Sequence, residues 1–282
     1  MPFYHAVLPG LVVAQSPLPP GWNVDVAVTL IQGDRLTVID TGVREFMPAA
    51  IQPALESLGA SLPDIGLIVN THGHWDHVQG NAALQAASGA PIWIPADDAG
   101  LLETPPDRAL NDGDVIDLGT WRFVVTLTPG HSAGMACLYE PERALLIVSD
   151  AVQGYGLPGG GLPLYFHSGR QYRASLERLL TLDVETVVLG HPFIWSGEPR
   201  FAHHGADAHR FLAESLDASR KTEAAVLAAL QADPSPTLED LGRAVGIALQ
   251  DDPLFQISGG LGRLAYGTLR SELSDLGIDT ET

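Results

Sequence analysis

The 282-residue chain is 45% hydrophobic, long enough for one large domain with an appendage and able to bury a sizeable core. Its formal net charge is −19 and Lys221 is its only lysine, which argues against nucleic acid and membrane surfaces as partners, since both are held through Lys and Arg. No apolar run approaches the ~20 residues of a membrane span, and a single cysteine, Cys137, excludes an intramolecular disulfide framework.

The opening stretch, MPFYHAVLPGLVVAQS, lacks the basic start and apolar segment of a secretory signal, so a cytoplasmic location is expected. Short β-branched runs ending in Gly, Pro or Asp then predict strands. They are VAVTLIQG (26–33), RLTVIDTG (35–42), LIVNTH (67–72), PIWIP (91–95), DVIDLG (114–119), RFVVTLTPG (122–130), ACLYE (136–140) and ALLIVSD (144–150). Helical patterns fall between them at 44–59, which contains Pro48 and Pro53, and at 79–87. Cys137, within GMACLY, reads as a buried small hydrophobe. RQYRASLERLLTL (170–182) sets Tyr172, Leu176, Leu179 and Leu180 on one helical face, and VETVVLGH (184–191) is a further strand.

Beyond about residue 200 the texture becomes helical. Residues 206–231 form one long helical pattern, ADPSP breaks it, and Thr237 with Asp240 forms a near capping box before helices at 238–249 and 260–276. The chain therefore divides into residues 1–200, carrying the strands, and 201–282, a helical extension of winged-helix-like character.

Four segments share one pattern, an apolar strand ending in a metal-type residue. They supply His72, His74, Asp76 and His77 from IGLIVNTHGHWDH, His131 from FVVTLTPGH, Asp150 from ALLIVSD and His191 from VETVVLGH. Strand ends along one sheet edge can converge on a single cleft. Residues two apart in extended chain face the same side, so His72 and His74 can grip one ion, while a turn at Trp75 and Asp76 swings Asp76 and His77 toward a second. Imidazole suits Zn and Fe, and carboxylate also admits Mn. Seven donors exceed one catalytic tetrahedron and fit two ions that share a carboxylate and a water.

This set resembles the metallo-β-lactamase fold superfamily: His-x-His-x-Asp-His at 72–77, PGH at 129–131, Asp150 after a strand, GH at 190–191 and VIDTG at 38–42. The resemblance covers about residues 10–195 and implies an α/β fold, an αββα sandwich of two mixed sheets flanked by helices. It implies that His72, His74 and His131 hold one Zn2+ and that Asp76, His77 and His191 hold the other. Asp150 would stand between the ions, and Asp40 would orient ligands rather than be one. The helical tail resembles the glyoxalase II-like and lactamase-β-like hydrolases.

Departures narrow the activity. Asp150 stands where true β-lactamases of this fold usually carry Cys or Ser. Gln153 stands where acyl-homoserine lactonases usually carry Tyr, and the lysine-poor chain shows no evident counterpart to the basic residues with which glyoxalase II holds glutathione. Flavodiiron relatives carry Glu where this chain has His74. Persulfide dioxygenases, with one iron on the residues matching His72, His131 and Asp150, are the main non-hydrolytic alternative, and β-lactamase is a hydrolytic one.

The expected activity is metal-dependent hydrolysis of an ester, thioester or lactone. A zinc-held hydroxide, available near neutral pH, attacks the carbonyl, Asp150 positions the ions and Asp76 relays a proton. The loop after Asp150 is the candidate lid, with Tyr155, Tyr165, Phe166 and His167 as candidate substrate contacts, and His203 or His204 as candidates for the rim. The expected partner is a small acyl substrate, with homodimerisation left open.

Overall fold

The computed structural model describes residues 4–17, 25–44, 47–154, 162–195, 198–249 and 260–278. Strands β1 (Tyr4–Leu8), β2 (Leu11–Pro17), β3 (Asp25–Ile31), β4 (Leu36–Ile39), β5 (Ile65–Val69), β6 (Ile92–Pro95) and β7 (Arg108–Leu110) form the first sheet in sequential order. Its pairs are antiparallel from β1 to β4 and parallel from β4 to β7. The second sheet contains β8 (Val115–Asp117), β9 (Arg122–Leu127), β10 (Ala136–Glu140), β11 (Leu145–Ser149), β12 (Thr186–Trp195) and β13 (Glu198–His204), adjacent in that order. Only β11 and β12 run parallel there.

Both sheets are covered on both faces, which explains their nearly unbroken apolar runs. Alternate residues split cleanly between layers. Leu67 and Val69 of β5 pack with Phe123, Val125, Leu145 and Ile147 in the core between the sheets. On the outer face of the first sheet, Ile68 packs with Ile51 and Leu55 of α1 (Met47–Ser57) and Leu84 of α3 (Asn81–Ser88), two helices that bracket the short α2 (Trp75–Val78). On the outer face of the second, Leu146 and Val148 meet Tyr172, Leu176 and Leu179 of α4 (Gly169–Leu179) and Leu212 and Leu216 of α5 (Ala206–Ala232). The chain is thus an αββα sandwich, as the motif resemblance implied.

The C-terminal helices α5, α6 (Leu238–Ala248) and α7 (Gly260–Asp275) share their own apolar cluster of Ala225, Val226, Leu241, Val245, Ala265 and Leu269. Thr237 caps α6 as expected, its hydroxyl accepting from the Asp240 amide. Among the described residues no strand follows His204. No described helix is long and apolar enough to cross a membrane.

Four strands were not read from the sequence: β1, β2, β7 and β13. β7 has only three residues, too few to show a period. β13 carries EPRFAHH, whose polar content disguised it; it runs on through residue 200, where the sequence divided the chain, and pairs along β12. β12 also continues past His191 to Trp195, with irregular register between Val188 and Phe193. His191 therefore sits within a broken strand and not at a strand end.

Candidate metal centre

Asp40 follows β4, residues 72–77 follow β5, His131 follows β9 and Asp150 follows β11, all at C-terminal strand ends. Together with His191 of β12 they bring all seven candidate donors to one edge of the sandwich. His72, His74 and His131 each offer a ring nitrogen, and the three lie within 4.8 Å of one another; Asp76, His77 and His191 form a second such trio. His74 Nδ1 lies 2.8 Å from His131 Nε2. Asp150 stands between the trios. Its Oδ2 is 3.3 Å from both His131 Nε2 and His191 Nε2, and its Oδ1 is 3.5 Å from His77 Nε2.

The opposite ring nitrogens are committed to fixed partners. His131 Nδ1 lies 2.6 Å from the Leu164 carbonyl and His191 Nδ1 2.8 Å from the Asp25 carbonyl, so both donate there. His77 Nδ1 donates to Asp40 Oδ2 at 2.9 Å. These bonds set the tautomer that leaves Nε2 facing the cluster.

Asp40 is a buried hub at φ +57. Its Oδ1 accepts from the Thr71 amide, and its Oδ2 also accepts from the Thr71 and Ser149 hydroxyls. Four donors already occupy the Asp40 carboxylate, three of them on Oδ2, so it is placed to orient ligands, although it lies close enough to His72 and His77 to form a third trio. Ser149, next to Asp150, is also left-handed at φ +45, a non-glycine strain of the kind that gathers at functional sites.

Sequence reasoning missed Asp98. This buried carboxylate accepts from the Gly73 and Gly134 amides and the Ser132 hydroxyl, lashing the 72–77 loop to the loop that carries His131. Its signal was the Asp-Asp pair after PIWIP, a doublet of carboxylates at the same strand edge. Gly190 explains the glycine of the GH motif. A Cβ there would stand 2.3 Å from Asp150 Oδ1 and 2.8 Å from the Ser149 carbonyl carbon.

Burial dominates the first trio and holds His72 and His74 below the usual imidazole range, with His131 pushed down to about 3. These rings are neutral and present lone pairs. Burial also works against a proton on His77, but Asp150, Asp76 and Asp40 outweigh it and raise His77 well above its ordinary value. Burial is likewise overcome at His191, chiefly by Asp150, which raises it. Asp150 itself is held well below the carboxylate range because His191 and His77 overcome its burial. The second trio is therefore built to surround positive charge.

Three buried polar atoms of this cluster have no hydrogen-bond partner: His72 Nε2, His77 Nε2 and Asp150 Oδ1. An unsatisfied buried polar atom costs about 1–3 kcal/mol, and cations at the two trios would satisfy all three. Imidazole and carboxylate donors in these proportions fit Zn, with Fe or Mn as alternatives.

The candidate substrate contacts separate. Tyr155 lies outside the described residues. Tyr165 is fully buried, packs on Tyr172 and donates its hydroxyl to Glu272, so it supports the fold and does not face a substrate. The sequence could not show that a C-terminal helix covers it. His167 is exposed just before α4, its amide bonded to the Gly130 carbonyl. Phe166 is the aromatic at the centre, its ring 5.2 Å from His131 and 5.6 Å from His74. His203 is buried against Phe211 and His204 pairs with Thr186, so neither forms a rim.

Two stacked sheets between helices, with an all-histidine trio and a His–Asp trio side by side at one edge of both sheets, define a metal-binding αββα sandwich protein. The chain belongs to the metallo-beta-lactamase superfamily, whose family model matches residues 21–191. It is 37% identical over 155 residues to a hydroxyacylglutathione hydrolase of Jannaschia sp. (strain CCS1), covering 55% of this chain and 57% of that one. It is 32% identical over 193 residues to a hydroxyacylglutathione hydrolase of Methylococcus capsulatus, covering 67% of this chain and 73% of the relative. The crystal structure of a metallo-beta-lactamase family protein from Thermus thermophilus matches with a TM-score of 0.71 at 23% identity, over 96% of this chain and 95% of that one. That likeness concerns the fold and extends through the C-terminal helices.

Proposed function

We propose that this protein is a hydrolase of acyl esters, thioesters or lactones that works with two bound metal ions, zinc in the first instance. The observation that carries the reading is Asp150, whose two oxygens reach His131 of one trio and His77 and His191 of the other. One carboxylate between two complete donor sets supports a paired centre over the single iron of a persulfide dioxygenase. The hydroxyacylglutathione hydrolase relatives support an acyl bond as the target, although the chain spans only 57% of the Jannaschia protein.

In this reading His72, His74 and His131 would hold one ion and Asp76, His77 and His191 the other, with Asp150 available to both. Bound zinc supplies Lewis acidity and lowers the pKa of a coordinated water to about 7. The chain supplies the rest. Asp40, the Asp25 carbonyl and the Leu164 carbonyl fix the rings of His77, His191 and His131. Asp98 fixes the spacing of the two histidine loops. Asp76 is more exposed than Asp150, 14% against 7% of the side chain, so it is the carboxylate able to pass a proton between the reacting group and solvent.

Elemental analysis of the purified protein, followed by hydrolysis assays on a thioester, a lactone, a β-lactam and a phosphodiester, tests the reading. Chelator-sensitive turnover of the thioester or lactone supports it. Turnover of the β-lactam or phosphodiester alone, or an Asp150→Ala protein at full rate, overturns it.

A further inference from the structure

Three apolar side chains gather around residues 73–75 at the edge of the centre. Phe166 sets its ring edgewise to His74 and near His131 and is only half-buried. Trp75 follows His74 directly and is 37% exposed. Leu101, 56% exposed, lies over Gly73, where an added Cβ would come within 2.7 Å of it. Gly73 is the residue between His72 and His74, so Leu101 also borders the first trio. Trp75 and Leu101 are two of the few large apolar side chains left exposed among the described residues, and both stand beside a buried cluster of ligating groups.

Phe166 is held by the C-terminal helix. A Cβ on Gly267 of α7 would stand 2.4 Å from Phe166 Cδ1, so the ring occupies the space that glycine leaves. The neighbouring Thr268 hydroxyl donates to the Pro163 carbonyl and accepts from the Tyr165 amide, fixing the backbone on both sides of Leu164, whose carbonyl holds His131. The two arginines at the start of α4 are committed to α7. Arg173 pairs with Glu272, and Arg170 bonds to Asp275. Both arginines nearest Phe166 are thus engaged by α7.

We infer that Phe166, Trp75 and Leu101 form the acyl subsite of this enzyme, that it selects uncharged aliphatic or aromatic acyl groups, and that Gly267 of α7 sets its size through Phe166. The inference rests on the acyl-hydrolase reading and adds the substrate class. The C-terminal helix acquires a role in specificity without supplying a side chain to the reacting atoms.

The test uses the full chain loaded with zinc, N-acetylcysteamine thioesters from acetyl to hexanoyl, and calorimetric binding of the matching alkanoates, acetate to hexanoate. In the wild type, kcat/KM and alkanoate affinity should each rise about four-fold per added methylene, equivalent to about 0.8 kcal/mol each. Phe166→Ala should flatten both slopes with its zinc content intact. Gly267→Ala, which leaves Phe166 in place chemically but displaces it, should lower the hexanoyl-to-acetyl ratio at least three-fold. Flat wild-type slopes, or a Phe166→Ala protein that keeps the wild-type slopes, overturn the subsite. If no thioester or lactone is turned over but alkanoate affinity still climbs with length and Phe166→Ala abolishes the climb, the hydrolase reading fails and the subsite stands.

Discussion

Asp40→Asn is the sharpest probe of how the centre is held. The side chain keeps its shape, but one oxygen becomes an NH2 group. In the native protein all four groups around Asp40 donate to it: the Thr71 amide, the Thr71 and Ser149 hydroxyls and His77 Nδ1. The hydroxyls can rotate and become acceptors. The Thr71 backbone N–H cannot, so the asparagine must keep its oxygen there and turn its NH2 toward His77. His77 can adapt by moving its proton from Nδ1 to Nε2. Nε2 is the nitrogen 3.5 Å from Asp150 and 3.9 Å from Asp76, and once protonated it cannot ligate. Losing an orienting partner of this kind typically costs about 10- to 100-fold in metal affinity, equivalent to about 1.4–2.8 kcal/mol. Competition titration with a chromophoric chelator measures this directly. One zinc equivalent should weaken by that factor, and the equivalent at His72, His74 and His131 should be nearly unchanged. Wild-type affinity at both positions would refute the tautomer reasoning.

Further outcomes follow from other parts of the molecule. Arg173→Met removes the partner of Glu272, 2.6 Å away and only 3% exposed, so denaturant unfolding should show a loss of about 3–5 kcal/mol. Equal stability would mean that solvent reaches Glu272. Gly190→Ala should force Asp150 aside and weaken zinc binding about 10- to 100-fold, while circular dichroism stays native; undiminished binding would contradict the packing. Burial pushes the Cys137 thiol up to about 12 from 9.0, so the native protein should resist thiol reagents at pH 8 and react only when unfolded. Because the folded pKa is raised, the stability this group contributes is complete below about pH 9 and is lost as pH rises toward 12. A Cys137→Ala protein whose stability falls as steeply as the wild type's between about pH 9 and 12 would contradict it.

The sandwich and the donor set were legible because each rests on a local signal. Apolar β-branched runs ending in a polar residue mark buried strands, and the His-x-His-x-Asp-His spacing survives in any window that contains it. What the sequence concealed depends on long-range placement. Asp98 looks like any acidic loop residue until the fold sets it beside Gly73 and Gly134. Tyr165 lies in the Gly- and Pro-rich stretch that read as a lid, yet α7, more than ninety residues later in the chain, covers it through Glu272. His191 was read as the end of the strand 184–191, whereas the strand resumes beyond an irregularity. β13 escaped because its polar residues hide the alternation: Phe201 and His203 are buried between exposed Arg200 and His204, so one of the two inward positions is a histidine. The Asp98 and Tyr165 misses are contacts between distant segments, which no local period encodes.

The central claim is a paired metal centre with Asp150 between its halves, and metal stoichiometry tests it most directly. Protein purified with zinc available and freed of loosely bound ion should contain two zinc equivalents per chain by inductively coupled plasma mass spectrometry, and Asp150→Asn should hold fewer with both affinities reduced. One equivalent in the wild type, or two tight equivalents surviving in Asp150→Asn, would contradict the claim.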